Sequence, residues 1–160
     1  MTDRGTTILV LGLGNLLQAD DGVGIHVIRA LEAMELPAHI ALRDGGTIGL
    51  SLLTEIEDCA SLVVVDAMEL GREPGAIGVF HDGEIEVQLG GKKRSAHEVA
   101  LADLLAAAQL VGRSPERRVL IGVQPGRIGW GMEAEGPVAE AVPQVCGIVT
   151  GLVEGWCVDA

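Results

Sequence analysis

The side chains in this sequence that could do chemistry are acids that each end an apolar run, together with one histidine. Asp20 and Asp21 follow Ile8–Leu13 within ILVLGLGNLLQADDGVG, Asp44 follows Ile40–Arg43, Asp66 follows Leu62–Val65, and His97 stands just after Ser95. Carboxylate oxygens and an imidazole nitrogen form a ligand set for a borderline divalent transition metal with coordination positions left open. A glycine-rich turn between a strand and a helix more often holds a phosphate, which adjacent carboxylates would repel. A cation is the better occupant.

These residues meet only if the elements carrying them are parallel strands of one sheet. Ile8–Leu13 and Leu62–Val65 are continuous aliphatic runs, the pattern of strands buried on both faces. Ile40–Arg43 and Arg118–Val123 complete a parallel set, and Gly75–Phe80 makes a further strand. Only Ala67–Pro74 precedes that last strand, too short for a parallel crossover, so it is expected antiparallel to its neighbour. Helical spacing begins at Val23 and continues through Val27, Ile28, Leu31 and Met34, with His26 on the opposite, solvated side and Pro37 closing the helix. A short helix is expected over Ile48–Ile56, a helix capped by Ser95 carries His97, Leu101, Leu104, Leu105 and Ala108 on one face, and a last helix covers Pro137–Trp156. That last helix is expected to turn Val138, Val142, Val145, Ile148, Leu152 and Trp156 inward. Asp82–Arg94 and Gly126–Gly136 read as loops. The predicted fold is a three-layer α/β/α sandwich with a mostly parallel five-stranded sheet and one antiparallel strand, a single domain over 1–160.

In such a sheet ligands bind beyond the carboxyl ends of the strands. Asp21, Asp44, Asp66 and Gln124 all end at that edge, and His97 joins them if the chain climbs back before its helix. A helix N-terminus favours the neutral imidazole, the metal-binding form. Of the paired acids, Asp20 is expected to point away and one of the two to cap the helix at Val23. Gly14 and Asn15 are placed as supports for the loop. Each acid also has a plainer reading as a turn former, and His26, His39 and His81 read as structural.

Composition narrows the partners. The chain has 160 residues, 48% hydrophobic but only 2% aromatic, and a formal charge of −12. An aliphatic core and an acidic surface argue against nucleic acid and anionic membranes as partners. The three scattered cysteines, Cys59, Cys146 and Cys157, fit a reducing compartment. No signal-like start and no apolar run of membrane length are read, so a cytoplasmic protein is expected.

Dinucleotide binding through Gly12-Leu13-Gly14 fails because Leu17 stands where the third glycine belongs. A likeness to peptidyl-tRNA hydrolases stops at GLGN, since the following Pro-Gly pair is missing. The whole series fits another family better. LGLGNLLQADDGVG, DGGT at Asp44–Thr47, VVVDAM at Val63–Met68, SAHEVALADLL at Ser95–Leu105 and GVQP at Gly122–Pro125 together resemble the hydrogenase maturation endopeptidases.

That resemblance implies an endopeptidase that removes a C-terminal extension from the large-subunit precursor of a nickel-iron hydrogenase after nickel insertion. It places the metal contacts on Asp21, Asp66 and His97, which also carry the catalysis, with nickel brought by the substrate and no resident cofactor. The Lys92–Arg94 and Gly126–Gly136 stretches match no motif and are expected to set substrate choice. A non-proteolytic nickel checkpoint or chaperone that binds the loaded precursor is the alternative.

Overall fold

The computed structural model describes residues 7–15, 19–46, 51–91, 95–126 and 136–158. Lys92–Arg94, most of the glycine-rich loop and the side chain of Cys157 lie outside the described residues. The strands are β1 (Ile8–Leu13), β2 (Ile40–Gly46), β3 (Ser61–Ala67), β4 (Ile77–His81) and β5 (Arg117–Val123). The helices are α1 (Val23–Glu32), α2 (Ser51–Asp58), α3 (Gly83–Leu89), α4 (Ala96–Leu110) and α5 (Gly136–Val158). A single 3-10 turn, Ala19–Gly22, leads into α1.

The sheet order is β2-β1-β3-β5-β4, all parallel except β4. β1 and β3 are buried along their whole length, as their unbroken aliphatic runs require. β4 is antiparallel, as its short connection demands, but its neighbour is β5 and not the preceding β3. The connection length fixes only direction. Which strand fills the gap beside β3 is decided by the α4–β5 crossover arriving later in the chain.

One apolar layer, Val23, Val27, Ile28 and Leu31 of α1 with Val138, Ala141, Val145, Val149 and Val153 of α5, covers one face of the sheet. Ile56 of α2, Ile85 and Leu89 of α3, and Leu101, Leu104, Leu105 and Ala108 of α4 cover the other. Each fully buried aliphatic side chain contributes roughly 1.5–3 kcal/mol relative to exposure.

Several expectations are corrected. Asp82–Arg94 is not all loop, because α3 forms within it and buries Ile85 and Leu89 four positions apart. α1 stops at Glu32, so Met34 is 46% exposed and not part of the inner face. On α5 the buried line is Val138, Ala141, Val145, Val149 and Val153, while Val142, Ile148, Leu152 and Trp156 flank it half-buried. α5 also has the length and mean hydropathy of a membrane span over Gly136–Trp156, contrary to the reading that no segment does. Here it packs against α1 and β5, with Glu140 and Glu154 exposed.

One contact sets the spacing of the site. A Cβ on Gly24 would lie 2.4 Å from the Val65 carbonyl oxygen, and one on Gly12 would lie 2.3 Å from the Gly24 carbonyl oxygen. The first turn of α1 therefore rests backbone against backbone on β1 and β3. Only glycine permits that approach.

Candidate active site

Asp21 sits in the 3-10 turn after β1, and Asp66 is the next-to-last residue of β3, so adjacent parallel strands deliver both acids to one rim. Gly14 makes the turn possible, with φ of +121° and no room for a Cβ, which would lie 1.9 Å from the Asp21 carbonyl oxygen. The next residue, Asn15, donates its backbone N–H to Asp21 Oδ2 at 3.0 Å. His97 comes from the first turn of α4, whose entry is fixed by Ser95 accepting from the Glu98 N–H at 3.3 Å.

The imidazole lies between the two acids. Its Nδ1 is 2.7 Å from Asp66 Oδ2 and its Nε2 is 3.2 Å from Asp21 Oδ1. Ser95 Oγ is also 3.2 Å from Nδ1. Asp66 is fully buried, and its other oxygen, Oδ1, has no hydrogen-bond partner. An unpaired buried carboxylate oxygen costs free energy unless a cation or donor reaches it.

The electrostatics follow from one imidazole serving two carboxylates. Burial alone would lower the His97 pKa, but hydrogen bonds and charge from Asp21 and Asp66 outweigh it and raise the group to about 10. At neutral pH the ring is therefore an imidazolium donating to both acids. The expectation of a neutral ring at the helix N-terminus is overturned, because two carboxylates in contact exceed the helix dipole. For Asp66 burial dominates and lifts the carboxyl to about 6 despite the His97 contact. Asp21 is less buried, and the His97 and Asn15 hydrogen bonds overcome its desolvation and hold it below the usual carboxylate range.

The remaining predicted residues are placed around this centre. Gln124 is buried but points into the turn after β3, where Oε1 accepts from the Leu70 N–H at 2.6 Å and Nε2 donates to Glu69 at 3.0 Å. Asp44 is exposed and its Oδ1 accepts from the Gly46 N–H at 2.9 Å, so it is not part of the cluster. Asp20 does point away from His97. It is 2% exposed and its Oδ2 accepts from the Gly126 N–H at 2.9 Å, which ties the start of the glycine-rich loop to the acid turn. Neither acid caps α1, whose N-cap is Gly22 without a side-chain bond. His26 is half-buried and not solvated, with its Nε2 buried and unpartnered. Cys59 is buried at the opposite edge and donates to the Ile56 carbonyl.

One residue was passed over. Glu98 is 5% exposed, bonds back to Ser95, and is raised to about 7, first by burial and then by the charge of Asp66. The Ser95-x-x-Glu98 spacing of a capping box was the available signal.

Among the described residues no three metal-binding side chains are already arranged around a common empty point, because the imidazole fills the space between the acids. Fold and cluster define a three-layer α/β protein whose parallel-sheet rim presents an acid–histidine group. A family model described as hydrogenase maturation protease matches residues 25–152, and the chain belongs to that family as an endopeptidase of hydrogenase maturation. The hydrogenase 2 maturation protease of Escherichia coli is 35% identical over 144 residues, spanning 86% of this chain and 87% of that one. The hydrogenase expression/formation protein HupD of Rhizobium leguminosarum is 38% identical over 93% of this chain and 75% of its own. The solved structure of the hydrogenase maturating endopeptidase HybD from Escherichia coli superposes with a TM-score of 0.89 at 30% identity, covering 94% and 93% of the two chains.

Proposed function

We propose that this chain removes the C-terminal extension of a nickel-iron hydrogenase large-subunit precursor in the cytoplasm, and that it recognises the precursor by the nickel already bound there. The metal arrives as part of the substrate. Asp21, Asp66 and His97 are the residues that engage it, Asp66 through the oxygen that lacks a partner. That orphaned oxygen is the observation that carries the reading, since a buried anionic acceptor is satisfied by an incoming cation. Two carboxylates compensated by a single imidazolium, with neither lysine nor arginine in contact among the described residues, are chemistry for receiving further positive charge. The free buried thiol of Cys146 fits a reducing compartment.

Hydrolysis adds water across the scissile amide, so a proton must leave the attacking water and another must reach the departing amine. Asp66, lifted to about 6, is better matched as proton acceptor than Asp21, held low by its hydrogen bonds. Asp21 shares the metal with Asp66 and His97 and takes no proton itself. The imidazolium proton must depart for His97 to bind it, so metal capture releases a proton.

The test is to mix the chain with nickel-loaded and nickel-free precursor and follow intact mass. Cleavage of the loaded form alone is expected. Equal cleavage of both would remove metal as the recognition element, and binding without cleavage of either would establish a checkpoint protein instead.

A further inference from the structure

We infer that the outer edge of β2 receives the substrate's C-terminal extension as an added strand and leads it to the rim; the inference rests on the proposed function for the identity of the peptide. A peptidase needs its substrate chain extended at the bond it cuts, and an open sheet edge supplies the hydrogen bonds that hold an extended chain. β2 is an edge strand that runs parallel to β1 and ends at the rim with Asp44, Gly45 and Gly46.

The direction of each β2 residue follows from one bond. Ile8 donates to His39 O at 2.9 Å, so Ala41 and Arg43 turn their backbone groups to β1 while Leu42 and Asp44 turn theirs outward. Neither Leu42 nor Asp44 has a partner for its outward N–H among the described residues. Among the described residues the Leu42 carbonyl accepts only from the exposed guanidinium of the next residue, Arg43, at 3.1 Å. Leu42 N–H, Asp44 N–H and Asp44 C=O thus form a short ladder without a second side among the described residues, next to β1, the strand that leads into the Asp21 turn.

The other edge differs at the same end. On β4 the outward groups belong to Ile77, Val79 and His81, and the rim-side carbonyl of Ile77 accepts from the Arg72 guanidinium at 3.5 Å. At the far end the His81 N–H donates to Glu84 at 3.0 Å. Side chains close β4 at both ends, as proteins do to protect an edge. On β2 a side chain covers only the Leu42 carbonyl, and among the described residues nothing closes Asp44 at the rim end. The metal-bearing body of the precursor occupies the rim, so the extension beyond the scissile bond is the segment free to lie along β2.

The test compares Leu42→Pro with Leu42→Ala on nickel-loaded precursor. Proline removes the outward N–H without touching the β1 ladder, and alanine controls for the lost side chain. Leu42→Pro should raise KM about tenfold over Leu42→Ala with kcat within about twofold, the pattern of lost uniform binding. Equal kinetics for the two variants would overturn the inference. A second arm, independent of the variant's folding, adds a synthetic peptide of the extension to the 15N-labelled wild-type chain and follows amide exchange. Leu42 and Asp44 should slow while Val79 does not; no slowing at Leu42 and Asp44, or equal slowing at Val79, overturns the inference. If the wild-type chain fails to cut loaded precursor, the proposed function falls, and the peptide arm reports on the edge separately.

Discussion

The two ends of the same sheet treat charge in opposite ways. Around the amino-terminal ends of the parallel strands, two acids each have a cation of their own: Asp58 with Arg113 at 3.2 Å, and Glu86 with Arg118. At the carboxyl ends Asp21 and Asp66 share one histidine, Glu98 is buried beside them, and no arginine or lysine of the described residues pairs with any of the three. The first arrangement is closed, since a solvated pair wants nothing further. The second is under-compensated, the arrangement that the proposed metal capture calls for.

Breaking the under-compensated end should cost the most. His97→Ala is expected to lower cleavage by about 10²–10⁴-fold, with circular dichroism unchanged; unfolding would instead mark the ring as structural. The proton held by His97 gives a second lever. Binding of loaded precursor near pH 8 should release a proton, seen as a dependence of binding heat on buffer ionisation enthalpy, because the group is raised to about 10. Identical heats in all buffers would contradict an imidazolium at this position.

Asp20→Ala leaves the Gly126 N–H without its acceptor and should cost about 1–3 kcal/mol of stability, read from the urea midpoint. Asp20→Asn, which keeps an acceptor, should recover most of it. Glu98→Gln sharpens the comparison through pH. A carboxyl raised in the folded state binds more protons folded than unfolded, so its contribution is fully favourable below about 4.5 and is lost as pH rises through about 7. The variant should match wild type near pH 4.5 and exceed it by roughly 1–3 kcal/mol at pH 8. At the closed end, Arg113→Ala should change stability by less than about 1 kcal/mol.

Most of the fold was legible because long aliphatic runs announce buried parallel strands, as at Ile8–Leu13 and Leu62–Val65. α3 was not, since GEIEVQL is short, polar and bound to the core only through Ile85 and Leu89. The approach of Asp21 and Asp66 could be drawn from strand ends, that of His97 only on condition that the chain climbed back before its helix, and the protonation of the ring not at all. It depends on distances of 2.7 and 3.2 Å that no spacing encodes. Asp44 shows the converse. It ends a strand at the right edge, yet turns its carboxylate back to its own Gly46.

The contact of Gly24 with Val65 has a consequence for how the sequence can drift. Where an aliphatic side chain separates a helix from a sheet, each change of size shifts the helix, and with it whatever the preceding turn carries. Here no side chain intervenes at that contact. The approach of the first turn of α1 to β3 is set by main chain at that contact, so exchange of leucine, valine and isoleucine elsewhere in the core should shift the Asp21 turn little. Variation should be tolerated almost anywhere in the aliphatic layers and least of all at two residues that have no side chain.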